Sequence, residues 1–346
     1  MPDLAYDPRT TAPRSTKVAP LIRYILRTAA LYTILVLAAA TVTYFLAALS
    51  LDPRSNYLQR NPRPSDAVIT ATLNAYNLNP DVPVVERFLH WAGDVAHGDL
   101  GRTVTGSKVN TEFARRVAVS TRLLLVATIL GTACGVLVGT WSAVRQYKLV
   151  DRVTAIMSFT ILAVPVFVLA TTAQLWARGV NDLLGTTLIE YTGEYSPQAH
   201  GTLERLVSRA QHLILPSLVL IAFETALFSR YQRSAMLDVL SSEFLRTARA
   251  KGLARRTALL KHGLRVALLP LIPLLVYNTV LLFTGAAFIE KAFGWRGMGD
   301  WLIDAITTND VNAVASIGLF TAALVLIAAL LCEVAHVALD PRIAVR

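Results

Sequence analysis

Residues 243–263, "EFLRTARAKGLARRTALLKHG", decide how this chain is read. Six cations (Arg246, Arg249, Lys251, Arg255, Arg256 and Lys261) stand here against a single acid, Glu243. Long apolar runs lie on both sides. A basic segment between two such runs is the pattern of a loop joining two membrane spans. Working outward, uncharged runs long enough to cross a bilayer as helices occupy 28–51, 123–144, 153–177, 266–289 and 311–332. A sixth, 213–229, is interrupted only by Glu224. The expectation is an all-α membrane protein with six transmembrane helices.

Composition agrees. Of 346 residues, 54% are hydrophobic and only 16% charged, well below the quarter or so that soluble domains carry. Mean hydropathy is +0.50. Cys134 and Cys332 both fall inside apolar runs, so they read as small buried hydrophobes rather than a disulfide or a metal pair. The polar lead is too long, and the first apolar run too extended, for a cleavable signal, so that run reads as an uncleaved span.

Placement of charge sets the expected orientation. With both termini, 143–152 and 230–265 on one side, that side holds 19 Lys/Arg against six acids. The opposite side (52–122, 178–212 and 290–310) holds 14 against 15. The positive-inside rule then puts both termini and the basic loop in the cytoplasm. The outer segment after the first run is sizeable and broken by Pro53, Pro62, Pro64, Pro80 and Pro83. A second outer segment contains the turn-rich, acidic "EYTGEYSPQAHG" (190–201).

Enzyme motifs are missing. "GRTVTGSK" (101–108) resembles a phosphate loop, but Gly106 is followed by Ser107 rather than by the required Lys, and no apolar strand precedes it. The six histidines are scattered without metal-ligand spacing. Nothing predicts a catalytic residue, a metal or a cofactor bound by this chain. Nucleic acid is disfavoured as a partner because the basic stretch lacks stacking aromatics. An ionisable group inside a span is expensive, so Glu224 is a candidate for the transport path, with Tyr277 and Asn278 of the 266–289 run. The alternative is a buried Glu224 bonded to a neighbouring hydroxyl or amide. Glu290, at a membrane boundary where exposure is cheap, is a weaker candidate.

Within the opening stretch, Ser241 or Ser242 is placed to cap a helix with Glu243 in its first turn. Leu240, Phe244 and Ala248 recur every four residues, with Leu245 beside them. Gly252 supplies a natural helix end, and a second helical stretch runs to about Leu269 before Pro270. A short helix with small residues on one side suits a groove on another protein. Anionic lipid headgroups would be drawn by the charges alone and would not need the alanines and the glycine.

Glu243, Ala248, Ala250, Gly252, His262 and Leu269-Pro270 resemble the EAA loop of permease subunits in binding-protein-dependent ABC importers. "FLRTARAKGL" looks like the B-type permease of the oligopeptide and dipeptide branch. "RYILR" near the start, "GDLGRT" (98–103), "LVDR" (149–152), "HLILPSL" (212–218), "FGWRGMGDWLIDAI" (293–306) and "ALDPR" (338–342) agree in order along nearly the whole chain.

The resemblance implies a type I importer permease in a bacterial cell membrane. The implied division is a cytoplasmic segment 1–27, a first helix 28–51, an extracytoplasmic segment 52–117, a permease domain 118–336 containing the coupling loop 230–265, and a cytoplasmic tail 337–346. It further implies a C-type permease partner, two cytoplasmic ATPase domains that bind ATP and Mg, an extracytoplasmic substrate-binding protein and a peptide substrate. Glu243, Phe244, Thr247, Ala248, Ala250, Gly252 and His262 would couple to an ATPase. Relatives of this style also move nickel complexes or haem. A channel or ion-coupled transporter without an ATPase would explain the spans but not the loop.

Overall fold

The computed structural model describes the backbone of residues 18–339, and side chains outside 18–26, 281–285 and 334–339. The expected tail 337–346 and most of the segment 1–27 therefore fall outside the described side chains, as does "RYILR" for the most part. Helix α1 spans Val18–Ser50. Three short helices follow, α2 (Ser55–Leu58), α3 (Asp66–Ala75) and α4 (Val84–Ala96). Next come α5 (Val109–Val144), α6 (Leu149–Ala163), α7 (Val166–Leu184) and α8 (Thr202–Leu240).

The basic loop holds α9 (Glu243–Ala250), α10 (Arg255–Ala258), a π-helical turn at Leu259–Gly263 and α11 (Leu264–Leu268). Helices α12 (Leu271–Gly285), α13 (Ala287–Phe293), α14 (Met298–Thr307) and α15 (Val311–Leu339) complete the chain.

Among the described residues, four helices are long and apolar enough to cross a membrane, and two bent pairs raise the number to six if each pair is one span. The expected span 153–177 is one of the bent pairs. α6 and α7 meet at 101° because Pro165 pushes Val164 out of the helical region, to ψ 128°. Pro270 likewise bends the 266–289 run by 49°. Membrane helices also overrun the predicted ends. α5 starts at Val109, inside the segment assigned to 52–117, and α8 continues through the first third of the predicted loop 230–265.

α5 and α8 form the central pair. Gly131, Gly135 and Gly139 lie on the seam, and a Cβ on Gly131 would stand 2.4 Å from Cβ of Glu224. Small residues of this kind let two membrane helices approach closely. At one end of the bundle, α2–α4 pack Tyr57, Ile69, Leu73 and Trp91 against Tyr44 of α1 and Val311 of α15. This lobe contains the rejected phosphate-loop stretch, which folds as a tight turn. Thr103 N–H donates to the Ser107 carbonyl at 2.9 Å, and Arg102 pairs with Lys108. At the opposite, basic end, Ala143, Met236, Val239, Leu245, Ala258, Leu259 and Ala267 form a separate small core under the loop.

The cysteines differ from expectation. Cys134 is exposed on α5 and Cys332 half-buried. On a membrane helix an exposed apolar side chain faces lipid or another helix, so hydrophobicity alone did not place Cys134 inside this chain.

Candidate functional site

Glu243 opens α9 and Arg249 sits in its last turn, each complementing the helix dipole at its end. Ser242 occupies the N-cap position, yet its hydroxyl donates backward to the Val239 carbonyl at 2.6 Å instead of capping α9. Thr247 Oγ1 donates to the Glu243 carbonyl at 3.0 Å. After Ala250 the chain reverses at Gly252, whose φ of +93° is the left-handed region where a side chain is strained. The expected helix end is therefore present at the expected residue.

The predicted apolar face divides in two. Leu245 is buried and Ala248 and Leu240 pack beside it in the small core. Phe244 points away and is 42% exposed. Thr247, Ala250, Gly252 and His262 are also exposed, as is Glu243, which accepts from Arg246 at 2.8 Å. Of the coupling candidates, Ala248 thus anchors the helix to its own chain while Phe244, Thr247 and Ala250 offer a surface. Among the described residues Arg249, Lys251, Arg255, Arg256 and Lys261 make no ion pair. His262 lies in the π-helical turn, an irregularity that often accompanies function.

One contact missed by sequence reasoning ties this loop to the bundle. Arg233, ten residues before α9, forks onto Asp151 with Nε to Oδ1 at 2.6 Å and a second bond to Oδ2 at 2.9 Å. Ser142 Oγ and the Tyr147 backbone N–H also donate to that carboxylate. The signal was within "LVDR", but an Asp beside Arg152 gives no hint that its partner lies on another helix. The clamp joins the end of α8 to the α5–α6 turn.

Of the transport-path candidates, the structure brings Glu224 and Asn278 together and leaves Tyr277 and Glu290 apart. Glu224 is fully buried, and Asn278 Nδ2 donates to its two oxygens at 2.7 and 2.8 Å. That matches the alternative of a buried carboxylate bonded to a neighbouring amide. Tyr277, next to Asn278 in sequence, is 62% exposed and points elsewhere. Glu290 is also buried completely, against the expectation of an exposed boundary residue. It sits on α13, accepts from Ser120 Oγ of α5 and from the Asp300 N–H, while the Met298 N–H donates to the same Ser120 oxygen. Sequence position near a membrane edge could not reveal that α14 folds back over it.

Residues 135–345 match the family described as "Binding-protein-dependent transport system inner membrane component". The chain belongs to this family. The oligopeptide transport system permease protein OppB of Mycobacterium tuberculosis is 49% identical over 326 residues, covering 94% of this chain and 100% of its own length. The oligopeptide transport system permease protein AppB of Bacillus subtilis is 30% identical, covering 92% of this chain and 98% of the relative. The dipeptide transport system permease protein DppB of Escherichia coli is 30% identical, at 77% and 83%. As a member of the oligopeptide and dipeptide branch, this permease is a multi-pass membrane transporter subunit. The exposed face of α9 and the Asp151–Arg233 clamp both lie within the matched region.

Proposed function

We propose that this permease forms half of the translocation pathway of an ATP-driven, binding-protein-dependent peptide importer. A second, C-type permease supplies the other half. Two cytoplasmic ATPase domains bind ATP and Mg, and an extracytoplasmic binding protein delivers the peptide. Both termini and the basic end face the cytoplasm of a bacterial cell. Phe244, Thr247 and Ala250 enter a groove of one ATPase, with Glu243, Gly252 and His262 at the rim and Ala248 holding the helix in place. Closure of the ATPases on ATP moves α9, and the Asp151–Arg233 clamp carries that movement into α5, α6 and α8. The ATPase shifts the balance of inward and outward states only by binding them unequally.

The observation that carries this reading is α9 itself: eight residues anchored by Leu245 on one side, with an apolar Phe244 and an exposed Arg249 that makes no ion pair among the described residues on the other. The test is copurification and uptake with Gly252→Val. The variant should insert into the membrane like the parent, lose the ATPase pair during purification in mild detergent, and take up no labelled peptide. Retention of the ATPase pair together with parental uptake would refute the coupling role. A parent chain that never retains an ATPase would favour a channel or ion-coupled carrier.

A further inference from the structure

At the basic end, α5, α6 and α8 leave open a cavity of about 530 Å³ between them. Part of its wall is polar, with Thr154, Ser229, Ser234, Tyr231 and Arg230 beside the Asp151-bound Arg233, and the rest is apolar, from Phe159, Ala155 and Leu227. Ser158 and Ser229 bond to one another at 3.1 Å, and Thr154 Oγ1 donates to Ser142 at 3.2 Å, so these hydroxyls are already engaged. Arg230 is different. Its guanidinium lies 4.2 Å from the Phe159 ring centroid, and among the described residues it makes no ion pair. Tyr231 and Ser234 beside it are exposed.

A second cavity of about 340 Å³ continues along the same helices and shares Thr154, Ser158 and Ser229 with the first. Its remaining wall is apolar (Cys134, Val138, Met157, Ile161, Ala222 and Ala226 among it) except for Thr225, whose hydroxyl donates to the Gly131 carbonyl at 3.3 Å. A free cation at the mouth of a partly polar chamber, opening into a mostly apolar one, is the outline of an amphiphile with an anionic head. Trp141 and Tyr147 stand exposed at the same end, as interfacial aromatics do. Arg145, Lys148 and Arg152, also exposed there, add positive charge around the mouth.

We infer that this groove holds an anionic phospholipid, with its phosphate on Arg230 and an acyl chain in the apolar chamber. Basic pockets between membrane helices are suited to such headgroups. The site stands apart from peptide transport and does not depend on which compartment the basic end faces. Because α8 carries Arg230, Arg233 and, at its end, the start of α9, a lipid seated here would brace the helix that feeds the loop.

The test uses the full-length chain in mild detergent, with dioleoylphosphatidylglycerol or dioleoylphosphatidylcholine added and retention read by native mass spectrometry. The parent should retain one phosphatidylglycerol with a preference of about 5-fold over phosphatidylcholine, the weight of one basic side chain at an anionic surface. R230Q should bring the two lipids to parity, while R256Q, on the exposed loop, keeps the preference. Met157→Trp, which fills the apolar chamber without touching Arg230, should reduce retention of both lipids and guards against a folding artefact in R230Q. Equal retention of the two lipids by the parent, or an unchanged preference in R230Q, would overturn the assignment. So would displacement of the lipid by 10 mM (about 10⁻² M) inorganic phosphate alone, since a free anion would then suffice. A Phe159→Cys variant that cross-links to the partner permease in the assembled transporter, with no lipid retained, would equally assign the groove to a protein.

Discussion

The two ends of this molecule handle charge in opposite ways. At the lobe end a cluster of charges near the bundle is answered from within. Lys291 bridges Asp300 and Asp304, Arg116 reaches Glu112 and Asp300, and Glu194 accepts from Arg122 and pairs with Arg209. At the basic end one partly buried pair, Asp151–Arg233, serves the bundle, and in the loop beyond it Arg246 meets Glu243 while Arg249, Lys251, Arg255, Arg256 and Lys261 make no ion pair among the described residues. More of the lobe end's charges are met within the chain, whereas the basic end, on the proposed reading, offers its cations to a partner. Substitutions at the first should therefore show as lost stability, and at the second as lost assembly.

The largest loss of stability is expected from Gly297→Val. A Cβ there would lie 2.2 Å from Glu290 Oε1 and 2.5 Å from Ser120 Oγ. Displacing Glu290 leaves a buried carboxylate and the Asp300 N–H without partners, so the cost should reach about 4 kcal/mol. Thermal unfolding of the purified chain measures it, and a Tm equal to the parent's would contradict the lock. Arg233→Gln comes next, because it strands Asp151, which is only 4% exposed. Loss of one partner of such a pair should cost about 3 kcal/mol. The variant also separates stability from coupling: if α8 and α6 move together through the clamp, stimulation of the ATPases by binding protein should fall even at a temperature where the fold is intact.

How much of this contrast the sequence carried depends on the range of the interaction. Span count, the end of α9 at Gly252 and the membrane-permease resemblance are local or periodic properties, and all were legible. The bends were half legible: Pro165 and Pro270 mark the breaks, but an apolar run does not state an angle. Glu290 and Arg233 were illegible because their partners lie on other helices, at Ser120 and Asp151. Phe244 and Leu245 are adjacent in sequence, and only the packing of α9 on Val239 and Leu259 decides which of them faces inward.

A pH experiment probes the lobe end more gently. Asp310 precedes α15, where its carboxylate accepts from the Ala313 N–H at 3.1 Å and from the Val104 N–H of the lobe at 2.9 Å. Burial outweighs those bonds and pushes the carboxyl up from 3.8 to about 6. With the folded-state value raised, this group's contribution is complete below its unfolded value, near pH 4. It is lost as pH rises through about 6. The parent should therefore be more stable at acid pH, by about 2 kcal/mol between pH 4.5 and 7.5 from this group alone. Asp310→Asn, which cannot ionise, should remove that part of the pH response. A parental slope in the variant would assign the dependence to other carboxylates.

The smallest effect on stability, and the sharpest test of the contrast, belongs to Phe244→Ala. Phe244 is 42% exposed and stands outside the small core that Leu245 enters. Truncating a side chain that leaves no internal cavity should change unfolding by less than about 0.5 kcal/mol. Yet in a partner's groove the same aromatic would be an anchor, where truncation costs on the order of 2 kcal/mol or more in binding. That corresponds to a roughly 30-fold weaker hold on the ATPase at 25 °C. Leu245→Ala provides the opposite pattern, a melting temperature lowered by cavity formation. If Phe244→Ala unfolds the chain, or keeps its ATPase at full strength, α9 is an ordinary part of the fold and the basic end offers its cations for another reason.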